Sequence, residues 1–192
     1  MAPPSGERSL GRGSRTRILA AAKTLFGRQG FNATSINELR AEARVSKRTL
    51  YQQFVSKDEL VLAYLDESER TGPAQLVLAR EQLAPRTRLL ELFSTLAEQP
   101  RPLAPDPFVA AAIEFPDPEH PVHRAAVTYG RRFSSRLSEL ARAAGARDPE
   151  KVGRQLALLY NGAAGRATLD DPTAVVADVY ALAAAVLRDA ID

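Results

Sequence analysis

Residues 45–60 read VSKRTLYQQFVSKDEL, a run in which a helix-capping residue precedes basic side chains and two apolar residues at helical spacing. Ser46 is a favourable N-cap for this helix. Leu50 and Phe54 lie four residues apart and give the helix an inward apolar face. At about 100° per residue, Arg48 points nearly away from Leu50, so the outward face is polar. The stretch therefore predicts a short helix with one buried face and one basic, exposed face.

Two capping boxes flank this helix. In a capping box, a Ser or Thr and a Glu three residues later each satisfy a backbone N–H group at a helix start. Ser35 and Glu38 have this spacing before the basic helix, and Ser56 and Glu59 have it afterwards. The second box leaves backbone N–H groups free beside Lys57, an arrangement that suits a phosphate group. The sequence thus predicts one helix before the basic helix and another after it.

A further helix is predicted upstream, because apolar residues recur at helical spacing between Arg15 and Arg28. The turn between the second and third helices consists of Arg44 and Val45, a length that fits a helix-turn-helix. Three short helices would therefore share one small core, with the basic helix on the outside. In such units, the last helix reads base edges in the major groove of DNA.

Three segments of this region resemble a known family: TSINEL at 34–39, ARVSKRTLY at 43–51 and FVSKDEL at 54–60. They are similar to the DNA-binding signature of the TetR/AcrR family of bacterial transcription regulators. The resemblance covers about residues 15–62. It implies that the protein binds a double-stranded DNA operator.

The resemblance also implies roles for individual residues. Thr34 or Ser35 would cap the second helix against a phosphate, and Tyr51 and Lys57 would contact the DNA backbone. Gln53 would also face the backbone. Bases would be contacted from the first turn of the recognition helix, by Lys47, Arg48 and Thr49. The candidate DNA-binding residues are Thr34, Ser35, Ser46, Lys47, Arg48, Thr49, Tyr51, Gln53 and Lys57.

Two residues depart from the usual pattern of this family. Arg40 stands where a small Ala is common, and Arg44 stands where a Gly is common in the turn. Arg44 must either adopt a positive φ, which is uncommon for a residue with a Cβ, or the turn must take another form. Arg40 must extend out of the helix pair, which would bring another cation near a phosphate.

Positive charge is concentrated at the N-terminal end. Residues 1–57 contain eleven Lys and Arg against three acids, a net charge of +8, whereas the remainder contains fifteen bases against twenty acids, −5. Basic charge confined to one small domain predicts salt-dependent binding to DNA. Residues 1–13 are rich in Pro and Gly, and they predict a disordered basic arm. A solvated tail is the more common state for such an arm than minor-groove binding through Arg8 and Arg12.

The composition is that of a globular protein, with 192 residues of which 45% are hydrophobic. The chain has no cysteine, which excludes disulfides, thiolate metal sites and cysteine nucleophiles. No run approaches the roughly 18 apolar residues of a membrane span, and the N-terminus lacks the apolar run of a signal peptide. We therefore expect a cytoplasmic protein that does not enter a membrane.

Beyond residue 60, Pro and Gly separate helical segments and no strand-like alternation occurs. We predict an all-α fold with a disordered arm at 1–13, a helix-turn-helix domain at 14–60 and a helical effector-binding and dimerisation domain at 61–192. The last two helices are predicted to begin at Asp148-Pro149 and Asp171-Pro172, since Asp is a good cap and Pro suits the first helical position.

These last two helices are apolar on several sides and rich in small residues. An antiparallel pair of this kind that meets its twofold copy forms a four-helix bundle, so the pattern predicts a homodimer. The family resemblance implies the same dimer. Two recognition helices set about 34–36 Å apart would then read the two half-sites of a pseudo-palindrome.

The middle helices contain enough aromatic and aliphatic residues to line a pocket for a small, apolar effector. Packing in the core is the more common role for any one of these residues. As a group they are compatible with a cavity, and the resemblance implies a domain that senses a small molecule. The candidate ligand-binding residues are Leu92, Phe93, Phe108, Phe115, Tyr129, Phe133 and Asn161.

Acidic residues and two histidines also cluster ahead of the long helical segment that begins near residue 122, at Glu114, Asp117, Glu119, His120 and His123. Intervening prolines make this segment a stiff turn rather than one helix face, so we expect no metal and no cofactor. The chain contains no nucleophile elbow, Walker loop or His-Glu-x-x-His motif, so we expect no enzymatic activity.

The sequence therefore predicts a ligand-responsive homodimeric repressor, which releases a pseudo-palindromic operator when an effector binds the C-terminal domain. The alternative is a constitutive DNA-binding or architectural dimer that has no effector pocket. Stabilisation by a ligand distinguishes them, because a pocket gains stability when it is occupied and a filled core does not.

Overall fold

The structure, a computed structural model, describes residues 5–98 and 106–191. This part of the chain contains ten helices and no strand, which confirms the predicted all-α fold. The helices are α1 (Ser5–Gln29), α2 (Ile36–Glu42), α3 (Lys47–Gln53), α4 (Lys57–Thr71), α5 (Pro73–Leu78), α6 (Pro85–Glu98), α7 (Pro107–Glu114), α8 (Pro121–Ala143), α9 (Pro149–Arg166) and α10 (Pro172–Ile191).

The first three helices form one small unit around a shared apolar core. Ile18 of α1, Leu39 of α2 and Leu50 of α3 are fully buried, and helix α1 packs against both of the others. Phe54 closes α3 and is also fully buried, with the guanidinium of Arg15 lying 4.5 Å from its ring centre. The predicted inward face of the basic helix is therefore confirmed.

Helix α1 begins earlier than the sequence pattern predicts. It starts at Ser5, so residues 5–13 are helical rather than part of a disordered arm. Once a helix is nucleated by packing of one part, each further residue adds a backbone hydrogen bond at little extra cost. Residues 1–4 lie outside the described part of the chain, as do the side chains of Arg8 and Arg12.

Helix α4 carries the chain from this unit into the larger C-terminal group of helices. It packs against α8, which in turn packs more extensively against α9 than any other two helices pack together, and α10 lies against α9 and α6. Asp148 and Asp171 cap the last two helices as predicted, since each carboxylate accepts a backbone N–H at 3.0 Å. Within the described ranges, no helix has the length and apolar character needed to cross a membrane.

Helices α8 and α9 approach each other closely at a glycine. An ideal Cβ placed on Gly153 of α9 would lie 2.1 Å from the Oγ of Ser138 and 2.7 Å from its backbone nitrogen. Both distances are far below van der Waals contact, so any side chain here would push the helices apart. The crossing of α8 and α9 therefore depends on Gly153.

Candidate nucleic-acid interface

Helix α2 begins with a complete capping box. The Oγ of Ser35 accepts the backbone N–H of Glu38 at 3.2 Å, and the backbone N–H of Ser35 donates to the Glu38 carboxylate at 2.8 Å. The hydrogen bonds from the Ser35 backbone and then from its side chain lower the pKa of Glu38 from 4.5 to about 2. The carboxylate therefore stays charged at neutral pH and keeps the start of α2 fixed.

The recognition helix α3 is capped by Ser46, as the sequence predicts. The Oγ of Ser46 accepts the backbone N–H of Thr49 at 3.0 Å and lies 2.8 Å from the hydroxyl of Thr49. Because Leu50 is fully buried on the opposite side, this first turn is held with its polar side chains outward. Ser46 and Thr49 thus fix one another at the tip of the helix.

The exposed face of α3 carries free cationic groups. Lys47 and Arg48 are exposed, and Arg48 has no hydrogen-bond or ion-pair partner in the part of the chain that the structure describes. Tyr51 is 43% exposed, with the ammonium of Lys47 at 6.0 Å from its ring centre. Donors with no internal partner remain available for base edges and phosphates, which suits the predicted role of this face.

Helix α4 begins beside α3 and carries Lys57 in its first turn. The Oγ of Ser56 accepts the backbone N–H of Glu59 at 3.1 Å. The Glu59 carboxylate accepts the N–H of Val55, one residue before the cap, so the return bond of the predicted capping box is displaced by one residue. Lys57 is half-buried and donates to the carbonyl of Asn32 at 3.2 Å, so it also holds the turn before α2.

Two other predicted DNA contacts are less accessible than expected. Thr34 is fully buried and its hydroxyl donates to the carbonyl of Gly30 at 2.7 Å, so its side chain does not face the surface where a phosphate would bind. Thr34 closes the end of α1 instead, while the neighbouring Ser35 is exposed and forms the cap. Gln53 is half-buried, and its carbonyl accepts a guanidinium N–H of Arg15 at 3.5 Å.

The two residues that depart from the family pattern are both exposed. Arg44 has a φ of 52°, so the turn takes the left-handed form despite the Cβ of this residue. Arg40 extends away from the helix pair, and its Nε donates to the side-chain oxygen of Asn37 at 3.2 Å. Both guanidinium groups therefore add to the positive charge around the helix-turn-helix.

Glu114 links the C-terminal helices to the DNA-binding unit. One carboxylate oxygen accepts the N–H of Phe31 at 3.0 Å and the other accepts the N–H of Asn32 at 2.6 Å. The side-chain amide of Asn32 donates to the carbonyl of Glu114 at 2.9 Å. A Cβ on Gly30, whose φ is 84°, would lie 2.6 Å from the same carboxylate, so glycine leaves the space that Glu114 occupies. Sequence reasoning missed this contact.

Phe115 lies at this junction and not in the predicted ligand pocket. Its ring centre is 6.1 Å from that of Phe31 and 4.8 Å from that of His120, on which it stacks. His120 caps α8 by accepting the N–H of Val122 at 3.3 Å, and its Nε2 lies 3.4 Å from a carboxylate oxygen of Asp58. Because α7 ends at Glu114, the next side chain turns toward the α1–α2 region.

The interior of the C-terminal helices contains a row of aromatic rings. Phe108 stacks on Tyr129 with ring centres 3.4 Å apart, and Phe133 follows at 5.9 Å from Tyr129. Tyr160 connects Phe133 to Phe93, at 5.6 Å and 6.1 Å. All five rings are buried, as is Leu92, and all of these residues except Tyr160 belong to the predicted ligand-binding set. Asn161 is exposed on α9, so its side chain does not join the other predicted ligand-binding residues in this interior.

Polar groups also reach this interior. The side-chain amide of Gln75 donates to the hydroxyl of Tyr129 at 2.9 Å. Burial raises the pKa of the Tyr129 hydroxyl, and it also raises the pKa of Asp106, whose carboxylate caps α7. The hydroxyl of Tyr129 therefore stays protonated and can both donate and accept hydrogen bonds.

Two clefts open from the surface toward these rings. One, of about 330 Å³, lies between α4 and α8. Its lining includes Phe108 and the ion pair of Glu69 and Arg132, whose charged atoms are 2.6 Å apart. The other, of about 380 Å³, lies between α6 and α10 and includes Phe93. Both fall within the lower part of the size range of small-molecule sites.

Comparison with known proteins identifies the helix-turn-helix region. The family model described as bacterial regulatory proteins, tetR family, matches residues 18–64. The chain is 40% identical over 58 residues to the HTH-type transcriptional regulator UidR of Escherichia coli K12. That match spans 30% of this chain and 30% of UidR.

Solved structures resemble the chain over nearly its full length. SCO4454, a TetR-family transcriptional regulator from Streptomyces coelicolor, has a TM-score of 0.85 and 30% identity, covering 94% of this chain and 97% of its own. A TetR-type regulator from Streptomyces avermitilis, sav143, has a TM-score of 0.75 and 32% identity, covering 92% and 97%. The chain therefore belongs to the TetR family and is a DNA-binding transcriptional regulator, not an enzyme.

Proposed function

We propose that this regulator is a homodimeric repressor, which releases a pseudo-palindromic operator when a small, apolar molecule binds its C-terminal helices. The observation that carries the proposal is the position of α7. This eight-residue helix carries Phe108 in the wall of the cleft at one end and Glu114, which holds the turn before α2, at the other. A ligand that displaces Phe108 therefore shifts α7 and, with it, the Glu114 carboxylate that accepts the backbone N–H groups of Phe31 and Asn32.

The surface of α3 supports operator binding. Its first turn offers Lys47 and Arg48 to the groove, and Arg is the residue that most often contacts guanine edges bidentately. One helix reads only a few base pairs, so useful specificity requires two copies of α3 on adjacent major grooves. A pseudo-palindromic operator follows from the twofold symmetry of such a dimer.

The outer faces of α9 and α10 support dimerisation. Leu158 of α9 is 74% exposed and Leu182 of α10 is 53% exposed. Contiguous apolar surface marks an interaction site, and we propose that these two leucines contribute to one. A second copy of the same two helices would bury them in a four-helix bundle.

The cleft between α4 and α8 supports a small molecule with an apolar part as the effector. Leu62, Leu65 and Phe108 contribute apolar side chains to its lining. The charged lining residues are Asp66, Glu69, Arg124 and Arg132, of which Glu69 and Arg132 form an ion pair. The effector binds the released conformation more tightly. To shift the protein from 99% in the DNA-binding conformation to 99% in the released one, the effector must favour the released conformation by about 5.5 kcal/mol.

Thermal melting in the presence of a panel of small hydrophobic compounds tests this function. A compound that occupies the cleft at 100 times its Kd should stabilise the protein by about 2.7 kcal/mol and should release bound DNA. Ala125→Leu, which fills the cleft, should abolish both effects. Val127→Leu, on the exposed face of the same helix, is the matched control and should leave both unchanged.

A constitutive DNA-binding dimer is the second candidate function. It is favoured by the close stacking of Phe108 on Tyr129, at 3.4 Å, which is the packing of a filled core. Under this alternative, no compound in the panel raises the melting temperature and DNA stays bound throughout. That result would contradict the ligand-responsive function and leave the DNA-binding function intact.

A further inference from the structure

The turn between α2 and α3 is a Schellman motif that contains an arginine in place of the usual glycine. The N–H of Val45 donates to the carbonyl of Arg40 at 3.0 Å, and the N–H of Arg44 donates to the carbonyl of Ala41 at 3.1 Å. These are the two bonds that define the motif, which requires a left-handed residue after the helix cap. Arg44 is that residue, with a φ of 52°.

The same motif ends α8, where the left-handed residue is Gly145. The N–H of Ala146 donates to the carbonyl of Ala141 at 2.9 Å, and the N–H of Gly145 donates to the carbonyl of Arg142 at 3.0 Å. Gly145 has a φ of 89°. Arg44 is the one residue other than glycine with a positive φ in residues 5–98 and 106–191. Its Cβ makes this conformation less favourable than it is for glycine.

No internal contact of Arg44 compensates for this backbone strain. Its side chain is exposed, and none of the hydrogen bonds or ion pairs among the described side chains involves its guanidinium. Arg40 and Lys47, which flank the turn in sequence, are also exposed and basic. The electrostatics at this position thus favour an anionic partner from outside the chain. Strained backbone of this kind is concentrated at functional sites.

We propose that Arg44 is an additional DNA-contacting residue, which binds a backbone phosphate beside the half-site read by α3. Arg44 lies two residues before the cap of the recognition helix, whose first turn enters the major groove. Phosphates line the edges of that groove, and the planar guanidinium forms paired hydrogen bonds with phosphate oxygens. The inference rests on the proposed binding of DNA through α3.

Arg44→Gly tests the inference because it separates stability from binding. The variant should melt at a higher temperature than the wild type, since glycine relieves the strain. Its affinity for DNA should fall by about tenfold, the effect of removing one charge-assisted hydrogen bond. The decrease should be similar for a duplex selected from a random pool for tight binding to the wild type and for a duplex of random sequence. The slope of log affinity against log salt should also decrease in magnitude by about 0.9 for each phosphate that the variant no longer neutralises.

Three further variants make the result unambiguous. Arg44→Lys keeps the charge and should keep most of the salt slope. Arg86→Ala removes one exposed cation from α6 and should leave DNA binding unchanged, which controls for net charge. Arg48→Ala should weaken binding to the selected duplex and verifies that the assay detects contacts from α3.

The inference is overturned if Arg44→Gly binds both duplexes with wild-type affinity and salt slope while Arg48→Ala is impaired. It is also overturned if Arg44→Gly lowers the melting temperature, because the strain argument would then be wrong. A wild-type protein that binds no duplex at all would instead overturn the proposed function.

Discussion

Three serine side chains fix the starts of the helices at the DNA-binding end. Ser35, Ser46 and Ser56 each accept the backbone N–H of the residue three positions later. A cap of this kind contributes about 1 kcal/mol to helix stability and fixes the angle at which the chain enters the helix. Local hydrogen bonds therefore help to set the orientation of α3 and the side on which Lys47 and Arg48 lie.

Arg48→Ala tests base reading by the recognition helix. Because Arg48 has no partner among the described residues, its removal should leave the fold unchanged. The variant should bind the operator about 1–3 kcal/mol less favourably and should lose base preference at one position of each half-site. Its binding to random duplex should change little. Fluorescence anisotropy with both duplexes measures this difference. Equal decreases on the two would show that Arg48 binds a phosphate and not a base.

Glu38 gives the stability of the DNA-binding unit a defined pH dependence. Its pKa is lowered in the folded state from 4.5 to about 2, so its stabilisation is fully present above pH 4.5. That contribution should be lost as the pH falls from 4.5 toward 2. An NMR titration of the carboxyl carbon measures the pKa directly.

The control for this titration is Glu38→Gln. The amide oxygen can still accept the N–H of Ser35, but the residue no longer titrates, so the pH dependence in this window should flatten. A measured pKa near 4.5 in the wild type would mean that the capping box does not form in solution.

At the scale of helices, the starts were predictable from the sequence and several long-range contacts were not. The caps Ser46 and Asp148 could be predicted because a cap bonds to a backbone group only a few positions away. The contact of Glu114 with Asn32 joins residues 82 positions apart, and no local pattern signals it. Helical spacing also did not indicate that Asn161 would face solvent, since α9 has apolar residues on several sides.

Because α8 and α9 cross closely at Gly153, we expect one added methyl group there to lower the stability of the fold markedly. Gly153→Ala would place a Cβ against the backbone of Ser138, so the helices must separate. Overpacking of this kind costs about 1–3 kcal/mol. Chemical denaturation measures the change.

Gly130→Ala on α8 is the matched control for this crossing. Gly130 is exposed inside a helix, and apart from its chain neighbours and the adjacent backbone of that helix, no atom lies within 4 Å of its Cβ position. The variant should therefore be more stable than the wild type by about 0.5–1 kcal/mol. If both variants changed stability equally, the crossing would not depend on Gly153.

For the whole molecule, residues 114–120 join the C-terminal helices to the DNA-binding end of the chain, through polar contacts of Glu114 and His120 and the ring contact of Phe115 with Phe31. Glu114 at the end of α7 holds the backbone of the α1–α2 turn, and His120 at the start of α8 lies beside Asp58 of α4. Both polar contacts come from residues 114–123, whose acids and histidines resemble metal ligands in composition only. Under the proposed function, a change at the C-terminal helices reaches the DNA-binding unit through this junction.

Glu114→Gln tests the rigidity of the junction. A carboxamide offers one acceptor oxygen and turns an N–H₂ group toward the second backbone N–H, so one of the two bonds is broken. Amide hydrogen exchange at Phe31 and Asn32 should accelerate, while exchange in the core of α9 stays the same. Glu119→Gln, which affects only an exposed ion pair with Arg124, is the control. Unchanged exchange at Phe31 and Asn32 would contradict a structural role for Glu114.

The central claim is that two copies of α3 read a twofold DNA site. Selection of bound sequences from a random duplex pool, at about 0.15 M salt to suppress nonspecific phosphate binding, tests it most directly. We predict enrichment of an inverted repeat whose half-site centres lie about one helical turn, or a multiple of it, apart. Binding of random DNA with no enriched sequence would contradict the claim and favour a constitutive architectural protein.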